Sequence, residues 1–290
     1  MMLRFFMILA LLAAPVPALA QNAPFASDRI VVETRGRGPD VILVPGLAST
    51  ASVWERTADR LDDRYRVHLV SVRGFGDVPP AANAQGALVG PIASELDRYI
   101  DSRGLNRPAV IGHSMGGLVA LRLAADGGSR VGRVMVVESV PFFPALVSPG
   151  ATVGDVEPIA AIAYQALLFL GETALSGGGM LGADMGLAAD SVFNTLGWQG
   201  GDRATLAQAL YEVMTTDLRH RLPEVQAPVT VVYGWSRDAG SPRNQIDRAF
   251  RSSFATLPRP ATFEPVEGAE HMVMIDQPRR FEAALDRFLR

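Results

Sequence analysis

From Ser27 onward, short apolar runs take turns with longer stretches in which apolar positions recur every three or four residues. "RIVVETRGRGPDVILVPG" predicts two strands joined by a glycine-rich turn, "ASVWERTADRLDD" a helix, and "YRVHLVSV" another strand. "GPIASELDRYIDSRG" predicts a helix closed by Gly104, "PAVIGH" a buried strand, "MGGLVALRLAADGG" a helix and "VGRVMVVES" a strand. Parallel strands need crossover connections, and helices between strands supply them. The alternation therefore implies an α/β fold with a mostly parallel central sheet covered by helices on both faces.

The rhythm breaks after Pro141. Residues 141–226 hold the apolar "VEPIAAIAYQALLFLG", the glycine-rich "SGGGMLGADMG" and the helical pattern "RATLAQALYEVMTTDLRHRL", with no convincing strand. Strand and helix resume in "PVTVVYG", "ATFEPVEG" and "MIDQPRRFEAALDRFLR". The expected organisation is one α/β core from 27–140 and 227–290, interrupted at 141–226 by a helical cap. Ligands bind at the carboxyl ends of parallel strands, so an insertion there would cover the site.

The N-terminus follows a different pattern. Met1 to Arg4 supply a positive charge, Phe5 to Ala14 an apolar run, and Ala18-Leu19-Ala20 a small-residue cleavage site before Gln21. This predicts a signal peptide over 1–20, cleaved after Ala20, and a secreted or periplasmic protein. The run is short for a bilayer span, so no stable membrane span is expected once it is removed.

Composition narrows the chemistry. The 290 residues carry a net charge of −3 and no basic run, which argues against a nucleic-acid partner. There is no cysteine, which excludes disulfides and thiolate metal sites. Neither a metal-binding spacing nor a phosphate loop occurs, so no cofactor and no metal are expected. Composition sets no oligomeric state.

"VIGHSMGG" places Ser114 between Gly112 and Gly116, after a predicted strand and before a predicted helix. A sharp turn there would lift the hydroxyl out of the sheet, and the helix N-terminus behind it would present unpaired N–H groups. A serine needs a base. Of the four histidines, His68 lies inside a strand, His113 adjoins the serine and is expected to pack, and His220 stands between two arginines at the surface. His271 alone falls in a loop between the last strand and the last helix.

These features, with "VILVPGLASTASVW", "VSVRGFGD", "APVTVVYGWSRD" and "VEGAEHMVMIDQP" in that order, resemble the α/β-hydrolase family from about Ile30 to the C-terminus. The resemblance implies Ser114 as nucleophile, His271 as general base and an acid after a late strand. Asp238, after "TVVYGWSR", is the first candidate acid. Glu138, at the end of "RVMVVES", is the alternative, because some relatives carry the acid after that earlier strand. The resemblance also implies an oxyanion hole built from the backbone N–H groups of Leu47 and Met115. The chain departs from the family pattern at Pro45-Gly46, where many relatives have His-Gly, and at Arg237, where the acid commonly stands.

The expected function is an exported serine hydrolase acting through an acyl-enzyme on small to medium, largely apolar carboxylic esters, with a small-molecule ester as its partner. Carbon–carbon bond hydrolysis or acyl transfer could use the same residues, and a binding protein with little turnover could keep the fold.

Overall fold

The short apolar runs form a seven-stranded sheet in the computed structural model, which describes residues 25–171, 197–236 and 242–290. The strands are β1 (Ile30–Gly36), β2 (Asp40–Val44), β3 (Arg66–Val72), β4 (Ala109–His113), β5 (Arg133–Val137), β6 (Val229–Trp235) and β7 (Thr262–Glu267). Their spatial order is β1-β3-β2-β4-β5-β6-β7, with β1 antiparallel to β3 and every other pair parallel.

β1 and β2 are consecutive in sequence yet do not pair, because β3 lies between them. Burial explains the order. Val41, Ile42, Leu43 and Val44 are all inaccessible, so β2 needs a neighbour on each side, whereas β1 buries only Ile30 and suits an edge.

Successive residues of the central strands feed opposite cores. Ile42, Val44, Val110, Val134 and Val136 pack with α2 (Val89–Ser102) and α3 (Met115–Gly127). Val41, Leu43, Ile111, Met135 and Val137 pack on the other face, against Trp54 and α1 (Glu55–Leu61) and against the C-terminal helix. His68 is buried at the far end of the sheet from Ser114, its ring bonded to Asp40 (2.9 Å) and Tyr99 (2.7 Å), as expected of a core histidine. Burial holds its pKa below the ordinary value.

Between β5 and β6 the described residues contain no strand. They form α4 (Val153–Leu170), α5 (Arg203–Thr215) and short 3-10 turns. α4 is long and apolar enough to cross a membrane by length and composition. It meets α5 through Tyr164 and Tyr211, whose rings stand edge to face at 6.2 Å. It buries Leu167 and leaves Ile159, Ile162, Phe169 and Leu170 exposed.

α5 is tied to the core by a buried carboxylate. Glu212 accepts the backbone N–H groups of Leu88 (2.7 Å) and Val89 (2.8 Å) and is itself held by Gln208. The amides at the start of α2, which have no partner within their own helix, are thus satisfied from α5.

Two helices complete the core, α6 (Arg243–Ser253) and α7 (Pro278–Leu289), the latter preceded by one helical turn, Val273–Asp276. The hydrophobic pattern had not singled out α6, whose sequence is mostly polar. Its buried anchor is Phe250, stacked on Tyr233 of β6 at 4.2 Å.

Candidate active site

β4 ends at His113 and α3 begins at Met115, so Ser114 alone makes the turn between them. It does so at φ 51° and ψ −120°, a conformation that L-residues avoid. The flanking glycines are required by close approach. A Cβ on Gly112 would fall 2.1 Å from the Gly116 carbonyl oxygen, and one on Gly116 would fall 2.5 Å from those of Val44 and Pro45. The Ser114 N–H donates to the Val137 carbonyl at 2.9 Å, which pins the elbow to β5.

Strain is concentrated around this turn. Of the five non-glycine residues with positive φ among the described residues, Ala48, Ser114 and Glu138 each lie beyond the carboxyl end of a central strand. Such conformations cost on the order of 1–3 kcal/mol each and persist where the surroundings over-determine them.

The loop after β2 lies directly over the elbow. A Cβ on Gly46 would come within 3.1 Å of Ser114 Cβ and 2.8 Å of His113 Nδ1. Leu47 follows on this loop, and Met115 opens α3. Neither of their backbone N–H groups donates to an acceptor among the described residues. An amide at a helix N-terminus, with the loop of Leu47 packed on the elbow beside it, is a setting that favours negative charge.

His271 arrives on the loop after β7, which is braced by a bond from the Glu270 N–H to Asp276 Oδ2 (2.8 Å). The ring of His113 contacts that of His271 edge to face at 4.6 Å, and His113 Nε2 bonds to the His271 carbonyl oxygen at 2.9 Å. A carbonyl only accepts, so the proton of His113 sits on Nε2. Complete burial, reinforced by the neighbouring His271, holds the His113 pKa well below its ordinary value, and the ring stays neutral. The sequence pattern assigned His113 to packing. It also ties the loop of one candidate residue to the elbow of the other.

The carboxylate of Glu138, just past the end of β5, comes to 3.7 Å from His271 Nδ1. Its other oxygen accepts the N–H of Gly234, and its own N–H donates to Val232 (2.9 Å), so it is held from β6. With Nδ1 facing a carboxylate, Nε2 is the ring nitrogen left to take a proton. Asp238, the acid favoured by sequence, lies outside the described residues, as do 1–24 with the expected cleavage site and the glycine-rich stretch within 172–196. His220 is exposed, as expected.

One contributor carried no sequence signal. The segment leading into α5, Gly197 to Asp202, bonds to the Ala48–Ser52 stretch and to Gly74 and Gly76. Only long-range pairing reveals it.

Known proteins place this arrangement. The model of the alpha/beta hydrolase family matches residues 41–284. A pimeloyl-[acyl-carrier protein] methyl ester esterase of Nitrosomonas europaea is 30% identical over 211 residues, 71% of this chain and 80% of that protein. One of the same name from Aeromonas hydrophila is 28% identical over 90% of this chain and 99% of its own length. Among solved structures, a carboxylesterase of the thaumarchaeon Nitrososphaera gargenis matches at TM-score 0.69 and 17% identity, covering 92% of this chain and 97% of that one. An enol-lactonase from Burkholderia xenovorans matches at TM-score 0.65 and 20% identity, covering 90% and 96%, and these two likenesses speak for the fold. With a family model spanning most of its length and the strand, elbow and helix lying inside that span, the chain belongs to the alpha/beta hydrolase family.

Proposed function

We propose that the protein is an exported serine hydrolase that cleaves small to medium, largely apolar carboxylic esters through an acyl-enzyme. Hydrolysis is the reaction that the family's name carries, and the ester bond is that of the relatives named as esterases. What carries the residue-level reading is Ser114 at a strained strand-to-helix elbow, with the loops of His271 and Leu47 drawn onto it.

In this mechanism Ser114 Oγ attacks the acyl carbon as His271 Nε2 takes its proton. The carbonyl oxygen becomes an oxyanion that accepts the N–H groups of Leu47 and Met115. Collapse expels the alcohol, protonated by His271, and leaves an ester on Ser114. Water, deprotonated by the same imidazole, then releases the acid and restores the hydroxyl.

Glu138 is the carboxylate that orients His271 and stabilises its charged form. The 3.7 Å approach to Nδ1 supports this choice. Asp238 is the second candidate, favoured by its place after the late strand.

The apolar preference is supported by the cap, whose α4 is predominantly apolar. A fluorophosphonate probe should label Ser114, and a series of chromogenic esters of graded acyl length should be turned over. Undiminished hydrolysis by Ser114→Ala would remove the mechanism. Labelling without turnover of any ester would favour carbon–carbon bond hydrolysis, acyl transfer or a binding role.

A further inference from the structure

We propose that Gln199, on the segment returning from the cap, is a positioning residue for the oxyanion loop. The inference rests on the reading of Leu47 as an oxyanion donor and adds what keeps that donor in place.

The loop that presents Leu47 carries a strained residue and few strong bonds of its own. Ala48 has φ 56°, so the residue after the donor is strained and must be restrained from outside. The backbone bonds within the loop are long, at 3.3 Å from the Ser49 N–H to Gly46 and 3.4 Å from the Val53 N–H to Thr50, and the one shorter contact, 3.0 Å between the Thr50 and Ser52 hydroxyls, joins side chains. A third support, from the Ala51 N–H to Ser71 Oγ, measures 3.2 Å.

The bonds from the returning segment are shorter and fall on the strained residue and on those that follow it. The Gln199 N–H donates to the Ala48 carbonyl at 2.7 Å. Its side-chain oxygen accepts from the Thr50 N–H (2.8 Å) and the Thr50 hydroxyl (2.7 Å), while its side-chain nitrogen donates to Ser52 Oγ (2.7 Å). Ser49, fully buried, donates its hydroxyl to the Gly197 carbonyl at 2.8 Å. The loop is therefore gripped at Ala48, next to the donor, and at Ser49, Thr50 and Ser52 beyond it.

The grip is itself anchored. Gly200 accepts from the Gly76 N–H (2.9 Å), and the Asp202 N–H donates to Gly74 (2.7 Å) just before Asp202 caps α5 through the Thr205 N–H (2.9 Å). Gly197 lies against the side chain of Met272, next to His271. One short segment thus touches the donor loop and the loop of the base, and belongs to the part of the chain that covers them.

An oxyanion donor acts only when its N–H points at the position the charged oxygen will occupy, so loosening the loop lowers transition-state stabilisation more than substrate binding. Complete loss of one donor costs about 10²–10³ in kcat, and partial misalignment should cost roughly ten-fold. The test compares Gln199→Ala and Gln199→Glu with the wild type on a short chromogenic ester, together with the affinity for a trifluoromethyl ketone, whose hemiketal oxyanion fills the same hole. Gln199→Ala should lower kcat about ten-fold with KM nearly unchanged and weaken the ketone by a similar factor. Gln199→Glu keeps the acceptor for Thr50 and should recover most of both. Ser49→Ala, which removes an independent bond to the same segment, should shift kcat and ketone affinity in the same direction and supplies the reading where Gln199→Ala does not fold.

Wild-type kcat and ketone affinity in folded Gln199→Ala would overturn the positioning role, as would a loss that appears only in KM or only in thermal stability. Turnover surviving in Ser114→Ala would overturn the underlying reading and this inference with it. A dead Ser114→Ala beside an unimpaired Gln199→Ala overturns the inference alone.

Discussion

His113 Nε2 donates to the carbonyl oxygen of His271 across 2.9 Å inside the protein, so the residue before the candidate nucleophile fixes the backbone of the candidate base. His113→Phe keeps an aromatic ring and deletes the donor. It should cost about 1–3 kcal/mol of stability for the unpaired carbonyl, measurable as a lower urea midpoint, and should reduce kcat. An unchanged midpoint and unchanged turnover would show that the bond has no such role.

The same histidine sets a pH dependence. Its folded pKa is held well below the ordinary value near 6.5, and that of His68 is also lowered, so below that pH the unfolded chain binds protons that the folded chain does not. Stability therefore rises with pH through this range and is lost as pH falls from about 6.5 toward the depressed folded values. Urea unfolding at pH 7 and at pH 5.5 should show the loss, and His113→Phe should flatten it. An equal slope in wild type and variant would assign the effect to other groups.

Glu138→Gln should lower kcat by orders of magnitude, approaching the roughly 10⁴ seen when a triad acid becomes an amide. Asp238→Asn should leave a mild defect. The opposite ranking would return the role to Asp238.

Leu167 and Phe169 stand two positions apart on α4 and should behave differently. Leu167 is fully buried and Phe169 is 74% exposed. Leu167→Ala should cost about 2–5 kcal/mol in stability. Phe169→Ala should stay within about 0.5 kcal/mol of wild type, as expected of a surface site. Thermal melts check both, and comparable losses would mean that α4 packs differently.

Export predicts that protein made with its native N-terminus begins at Gln21 by mass spectrometry. Recovery of intact Met1 from the cytoplasm would contradict cleavage after Ala20.

The sequence was most legible where local rules act. The two-sided burial of β2, β4 and β5 appeared as unbroken apolar runs, and the elbow as a serine between glycines at a strand-to-helix boundary. The adjacency of β1 and β3 was hidden because pairing order leaves no trace in a local pattern. α6 was missed because its packing rests chiefly on Phe250 amid charged residues. Glu138 was visible as a candidate, yet its approach to His271 depends on the registry of β5 against β6. Gln199 was invisible, since an exposed glutamine in a glycine-rich stretch resembles any loop residue until its partners, nearly 150 positions earlier, are known.

The carboxylate of Glu212 gives the contact between α5 and α2 a consequence for recombination. A chimera that replaced residues 141–226 with the corresponding stretch of another family member would discard the acceptor for the Leu88 and Val89 amides while keeping the helix that depends on it. The exchangeable unit is therefore larger than the inserted segment. It includes the start of α2, some 50 residues before the junction, and a graft that respects only the junctions would leave that helix frayed unless the donor carries a carboxylate at the equivalent turn.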